Sequence, residues 1–365
     1  MTLNFSNDQI KAYDAVMEWF KKPKDKYFVL SGYAGTGKTT IAKYIAEEIG
    51  IYDVIFCAYT GKAANVLREK GCTNAGTIHS FLYKFIYDQN GRNPVFGINP
   101  ESPLKYAKLV IVDEWSMLGD EMIQDLFNNS VKILFLGDPF QLPPVKANQT
   151  LLKADCFIEE IHRQARESPI LRAATAVREG REIPLGKYGE FDYIRSNEAT
   201  DEIYMAADQL IVGMNKTRQM FNQRFRRLRG YRTPQEFEPG EKIICLQNNR
   251  EQGLFNGMIG KCVSSHISGP TSFQLDFECD GNIYSGLPVW RGDIDAEVGK
   301  SMYDRRSRFD RFDYADAITC HKSQGSEFDT VVLFKEPIGD NEEMRRRWIY
   351  TGITRAKTKL TMIQA

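Results

Sequence analysis

Residues 31–40 read SGYAGTGKTT, and no other stretch constrains the fold of this chain as tightly. Gly32, Gly37, Lys38 and Thr39 satisfy the spacing G-x-x-x-x-G-K-[ST], with Gly35 inside it. The glycines permit a turn that aims successive backbone N–H groups at phosphate oxygens. The loop follows the apolar run YFVL and precedes a helical stretch, IAKYIAEEIG. A strand, a glycine-rich loop and a helix N-terminus together make a cradle for a nucleoside triphosphate. In that cradle Lys38 reaches the β and γ phosphates, Thr39 offers a hydroxyl to Mg²⁺, and Gly35, Thr36, Gly37 and Thr40 complete the phosphate-facing turn.

The rest of the chain fits a parallel sheet built around that loop. YFVLSG, VIFCAY (54–59), KLVIVDE (108–114) and KILFLGD (132–138) are short β-rich apolar runs, each leading into a polar or glycine-containing turn. Helical stretches lie between them, the alternation of a sheet covered by helices on both faces. Ser6 caps a first helix with Ile10, Tyr13, Val16, Met17 and Phe20 at helical spacing. A second α/β set follows, with strands at QLIVGMN (209–215), DTVVLF (329–334) and KLTMIQ (359–364) and a helix over 216–229. Between them, residues 239–290 break into short β segments separated by Gly and Asn turns, which reads as a small inserted β-barrel. Residues 83–98 place Asn90-Gly91 between two aromatic-rich runs, a hairpin signal.

The 365 residues leave room for two or three domains. Lys plus Arg (48) equals Asp plus Glu (48), so the chain is no global polycation, although a local basic channel remains open to it. RFRRLRG (224–230), DRRSRFDR (304–311) and RRRW (345–348) are local basic runs that read either as solvated faces or as parts of such a channel. The seven cysteines show no C-x-x-C pair and no metal-ligand spacing, the pattern of reduced thiols in a cytosolic protein. No signal pattern opens the chain and no apolar run approaches spanning length, so a cytoplasmic setting with no membrane partner is expected.

Two further motifs carry chemistry. Asp113-Glu114 ends an apolar strand, where an aspartate can hold Mg²⁺ and the adjacent glutamate can polarise an attacking water. That pair favours hydrolysis over transfer of phosphate to a metabolite. Gln141, in GDPFQLPPV (137–145), can donate to a γ-phosphate oxygen and accept from water, and so can relay the nucleotide state.

Taken in order, GYAGTGKTT, AYTGKAA (58–64), TIHSFL (77–82), VDEWSM (112–117), GDPFQLPPV, EIHRQA (160–165), ITCHKSQGSEFDTVVL (318–333) and IYTGITRAKTKL (349–360) resemble the motifs of superfamily 1 DNA helicases. The forms TIH, GDPFQLPPV, CHKSQGSEFD and YTGITRAK are similar to the B subgroup, which includes the RecD-like and Dda-type phage and bacterial enzymes. The resemblance runs from about Ser6 to Leu360. It implies two RecA-like lobes, with domain 1A at 1–153 carrying an inserted pin hairpin (1B) at 83–105. Domain 2A would span 154–232 and 311–365, with an SH3-like barrel (2B) at 233–310.

The resemblance also implies roles. Gln9 would read the adenine edge, Lys38 and Thr39 would hold phosphates and metal, and Asp113 would position the metal. Glu114 would activate water, while Gln141, Arg163 and Arg355 would sense and stabilise the γ-phosphate. Thr60, Lys62, Thr77, His79, Thr319, His321, Lys322, Ser323 and Gln324 would face single-stranded DNA. Gly325 would allow close backbone approach, and Glu327 would couple DNA to nucleotide. Phe81, Phe96 and Trp290 read either as base-stacking platforms or as core. ATP and Mg²⁺ are the implied cofactors, and single-stranded and forked duplex DNA the implied partners, with replication or single-strand-binding proteins as further candidates. The implied activity is ATP-driven 5′→3′ translocation and unwinding, in replication, recombination or repair. A DNA-dependent ATPase that remodels without processive unwinding would carry the same motifs. A small-molecule kinase would leave Arg355 and the 318–329 motif without a role.

Overall fold

The computed structural model describes residues 5–87, 94–143, 152–160, 167–231, 233–249, 252–295, 309–339 and 341–365. Contacts divide the chain into two units, Met1–Arg178 and Glu179–Ala365.

In the first unit, helix α1 (Asn7–Lys21) starts where Ser6 and Gln9 satisfy each other's backbone N–H. Its apolar stripe then buries Ala12, Val16 and Trp19, and full burial of one such large side chain contributes about 2–3 kcal/mol. Strand β1 (Tyr27–Gly32) runs into the glycine loop, and α2 (Lys38–Ile49) leaves it. There follow β2 (Val54–Ala58), α3 (Gly61–Glu69), β3 (Ala75–Thr77), α4 (Ile78–Leu82), β4 (Tyr83–Tyr87), β5 (Pro94–Ile98), β6 (Leu109–Val112), α5 (Asp120–Phe127), β7 (Lys132–Gly137), β8 (Cys156–Ile158) and α6 (Pro169–Arg178). The main sheet has the order β3-β2-β6-β7-β1-β8, with every pairing parallel. All its strands therefore end on one edge, and the loops carrying the motifs leave from that edge. Strands β4 and β5 pair antiparallel, Phe85 opposite Phe96. The Asn90-Gly91 turn and the side chain of Phe96 lie outside the described residues, as does Arg163.

One boundary differs from the expectation of a first domain ending at 153. Strand β8 hydrogen-bonds to β1, and Asp155 accepts from the Val29 N–H at 2.8 Å. Residues 154–178 thus belong to the first unit.

In the second unit, β9 (Gly186–Lys187), β10 (Phe191–Arg195), α7 (Asp201–Ala206), β11 (Gln209–Val212) and α8 (Asn215–Leu228) come first. Strands β12 (Lys242–Cys245), β13 (Ile259–Ile267), β14 (Ser272–Cys279), β15 (Asn282–Trp290) and β16 (Phe312–Tyr314) follow. Then come β17 (Ala317–Thr319), α9 (Cys320–Ser323), β18 (Phe328–Lys335), α10 (Glu342–Ile353) and β19 (Ala356–Gln364). The α/β sheet has the order β17-β11-β18-β19-β10-β9, and only β9 runs antiparallel to its neighbour. A separate antiparallel sheet, β15-β14-β13-β12-β16, closes over a core of Phe237, Phe273, Phe277, Phe312 and Tyr314. Phe81, by contrast with any exposed stacking platform, packs against the core of the first unit.

Helix α8 fastens that antiparallel sheet by one polar face. Arg218, Asn222 and Arg226 recur every four residues and all three are buried. Arg218 pairs with Asp313 at 2.8 Å. Asn222 donates to the carbonyls of Tyr314 and Ala317 and accepts from the Ala317 N–H at 2.7 Å. Arg226 pairs with Glu241 and donates to the Thr233 carbonyl at 2.6 Å. Removing one member of a buried pair leaves an uncompensated charge and costs about 3–5 kcal/mol.

Candidate nucleotide and nucleic-acid site

In the first unit the glycine loop leaves β1 and Gly37 stands at φ +78°, the left-handed region. A Cβ at Gly37 would sit 2.6 Å from Gln9 Nε2. That amide nitrogen donates to the Thr36 carbonyl at 2.9 Å, while Gln9 Oε1 accepts from the Ser6 N–H at 2.9 Å. Gln9 is buried with both ends of its amide engaged. It braces the loop here rather than presenting a free amide to a base.

Lys38 folds back over the loop and donates to the carbonyls of Gly32 (2.7 Å) and Tyr33 (2.9 Å). Thr39 Oγ1 donates to Asp113 Oδ2 at 3.2 Å. Asp113 Oδ1 accepts from the Glu114 N–H at 2.9 Å, across a turn in which Glu114 takes φ +56°. A non-glycine residue there stores backbone strain of about 1–3 kcal/mol, a habit of functional sites. The indole of Trp115 approaches β7 closely at Gly137, which has no Cβ; one would come within 2.5 Å of the ring. That close approach sets the acid pair beside the loop after β7. In that loop Gln141 is buried, and its Oε1 has no hydrogen-bond partner among the described residues.

Burial pushes the Asp113 carboxyl above its ordinary range, while the Lys38 charge, the Glu114 N–H and the Thr39 hydroxyl pull it back. A half-buried carboxylate beside a hydroxyl gives oxygen donors only, which suits a hard divalent cation that keeps most of its water. The residues present therefore fit Mg²⁺.

The neighbouring strand ends hold the second and third motifs. Thr60 caps α3, accepting from the Ala63 N–H, and Thr77 caps α4, accepting from the Ser80 N–H. Their strands are adjacent, with Ala58 opposite Thr77. Lys62 lies in the first turn of α3. His79 sits between the rings of Tyr59 (5.8 Å) and Tyr83 (5.7 Å). The two tyrosines were not among the sequence candidates, although Tyr83 falls four residues after His79.

The second unit holds the remaining candidates. Thr319, 7% exposed, ends β17 and stands at the N-cap position of α9 without a capping side-chain hydrogen bond. His321 follows, and burial lowers its imidazole pKa, favouring the neutral ring. Lys322 donates to Asn256 Oδ1 at 3.1 Å. Ser323 corrects an expectation: it is wholly buried and spends its hydroxyl on the Cys320 carbonyl at 2.7 Å, so it shapes α9 instead of facing a strand of DNA. Gln324 is buried as well. Gly325 stands at φ +70°, and Glu327 is exposed. Arg355 is buried and donates to the carbonyls of Thr351 (3.1 Å) and Ser326 (3.2 Å) and to Thr354 Oγ1 (3.2 Å). It is thereby tied to the 318–329 motif.

A parallel sheet with this loop, an acid pair two strands away and a glutamine in the loop after the strand between defines a P-loop nucleotide-binding protein. Residues 4–199 match the AAA domain family, and residues 314–363 match the UvrD-like helicase C-terminal domain. The ATP-dependent RecD2 DNA helicase of Deinococcus radiodurans is 28% identical over 362 residues, covering 91% of this chain and 46% of that protein. The ATP-dependent DNA helicase Dda of Enterobacteria phage T4 is 28% identical, covering 49% of this chain and 43% of that protein. The structure is similar in fold to the Pif1 helicase from Bacteroides in complex with ADP-AlF3 and ssDNA, with TM-score 0.60 and 17% identity over 100% of this chain and 93% of that one. The chain belongs to the AAA domain family. It spans less than half the length of these two curated relatives.

Proposed function

We propose that this chain is an ATP-driven DNA helicase that translocates on single-stranded DNA, 5′→3′, and separates duplex strands. The observation that carries the proposal is the shared edge of the first sheet. The phosphate loop, the acid pair and Gln141 leave the same edge as Thr60, Thr77 and His79. Nucleotide and polynucleotide motifs so close can be coupled by small shifts of one set of loops.

Thr39 and Asp113 would hold Mg²⁺, which when bound neutralises charge on the triphosphate. Lys38 exchanges the carbonyls of Gly32 and Tyr33 for phosphate oxygens. Glu114 takes a proton from the attacking water, and Gln141 orients that water and senses the γ-phosphate. Arg355 is assigned the sensing of the γ-phosphate through its motif, where a guanidinium would stabilise developing charge. Arg163 is assigned the same sensing role through its motif alone. Thr60, Lys62, Thr77, His79, Thr319, His321 and Lys322 grip the strand. On this reading each unit is a RecA-like lobe, the antiparallel sheet is an SH3-like 2B barrel, and β4–β5 is the separating pin carrying Phe96. The setting is the cytoplasm of a bacterial or phage-infected cell.

The test is unwinding of two partial duplexes with opposite single-stranded tails, with and without Mg·ATP. ATP-dependent strand separation of the 5′-tailed substrate is expected. Hydrolysis stimulated by single strands without separation of either substrate would replace this reading with a DNA-dependent remodelling ATPase.

A further inference from the structure

The second residue of the phosphate loop is a tyrosine, and the cradle has no evident need of its ring. The backbone carbonyl of Tyr33 accepts from Lys38 Nζ at 2.9 Å and from Thr36 Oγ1 at 2.8 Å. Its ring packs edge-on against Phe157 of β8, with centroids 4.8 Å apart. The guanidinium of Arg178 lies 3.4 Å from the centroid of the same ring. Arg178 is the last residue of α6 and of the first unit; the chain enters the second unit at Glu179.

We propose that Arg178 and Tyr33 form a latch through which the junction between the two units sets the resting position of Lys38. The proposal rests on the ATPase reading above. A guanidinium over an aromatic face is held by the ring quadrupole and by dispersion. Phe157 closes the ring edge, so the ring follows the end of α6. The residue that carries the ring also supplies one of the two carbonyls that Lys38 must leave to reach a phosphate. A shift of the α6 terminus therefore changes how firmly Lys38 is held. By reciprocity, phosphate that draws Lys38 away changes the preferred position of the terminus. Tyr33 and Arg178 are positioning residues in this scheme; neither touches the reacting atoms.

A double-mutant cycle tests it, using Tyr33→Leu, Arg178→Met and the two combined in the full chain. Affinity for a fluorescent ADP analogue is measured, together with kcat and KM for ATP with and without an oligothymidine. A contact of this kind corresponds to roughly a two- to thirtyfold effect. Each single change should shift nucleotide affinity or the DNA stimulation of kcat by at least about threefold. The double variant should be no worse than the worse single one. Tyr33→Phe, which keeps the ring face, should behave as the unaltered chain. Additive effects in the double variant would overturn the latch. So would Tyr33→Phe proving as damaging as Tyr33→Leu, or variants that lose thermal stability with unchanged kinetics. If the unaltered chain hydrolyses no ATP, the proposed function fails; if it does and the cycle is additive, only the latch fails.

Discussion

Thr39 and Asp113 meet at 3.2 Å although 74 residues separate them in the chain. The contact joins the start of α2 to the end of β6 and leaves Lys38 one residue from the carboxylate. Lys38→Ala should therefore abolish hydrolysis, by at least a hundredfold in kcat, while the β2 and β3 strand ends keep their form. Single-strand affinity, measured by fluorescence anisotropy, should stay within about threefold of the unaltered chain. DNA-stimulated turnover surviving in this variant would place the cradle elsewhere.

Glu114→Gln preserves shape and removes a base. Nucleotide affinity should change little, and single-turnover hydrolysis should slow by about a hundredfold or more. Normal turnover would transfer water activation to another group.

Gly37→Ala places a Cβ at a left-handed position, 2.6 Å from the Gln9 amide. The conformation alone costs about 1–2 kcal/mol, and the Gln9 amide must also leave the Thr36 carbonyl. Nucleotide affinity should fall by about tenfold or more, read by titration with a fluorescent analogue. A variant that binds as tightly as the parent would mean that Gln9 does not brace the loop.

The pairing of Arg226 with Glu241 predicts a pH dependence. Burial raises the Glu241 carboxyl from 4.5 to about 7, with Arg226 opposing the shift. Between those values the folded chain holds a proton that the unfolded chain has released. The stability contributed by that proton is full below pH 4.5 and is lost as pH rises through about 7. The melting temperature of Glu241→Gln relative to the unaltered chain should therefore rise between pH 5 and pH 8. A relative melting temperature that fell over that range would mean that the ionised pair is favoured in the fold.

The long apolar strands could be read directly. β1 and β7 begin where their apolar runs begin, and β18 and β19 extend only a few residues beyond DTVVLF and KLTMIQ. Short edge elements were opaque: β8 has three residues, too few for a periodicity, and it moved the first boundary from 153 to 178. The motif residues were legible because their spacing encodes backbone geometry. Their partners were less so. Tyr33 and Arg178 lie far apart in sequence, and only the fold brings the guanidinium onto the ring. Ser323 matched a motif, but nothing in the motif says that its hydroxyl turns inward to Cys320. RFRRLRG read as a solvated or channel-lining run; Arg226 within it is buried because Glu241 waits for it inside the fold.

The buried polar face of α8 bears on how this architecture can be rearranged. Hydrophobic surfaces tolerate substitute partners, but a helix whose arginines answer particular carboxylates and carbonyls accepts few others. Any chimaera that exchanges the antiparallel sheet with a relative must transplant Asn215–Leu228 along with it, or leave Asp313 and Glu241 stranded in an apolar interior.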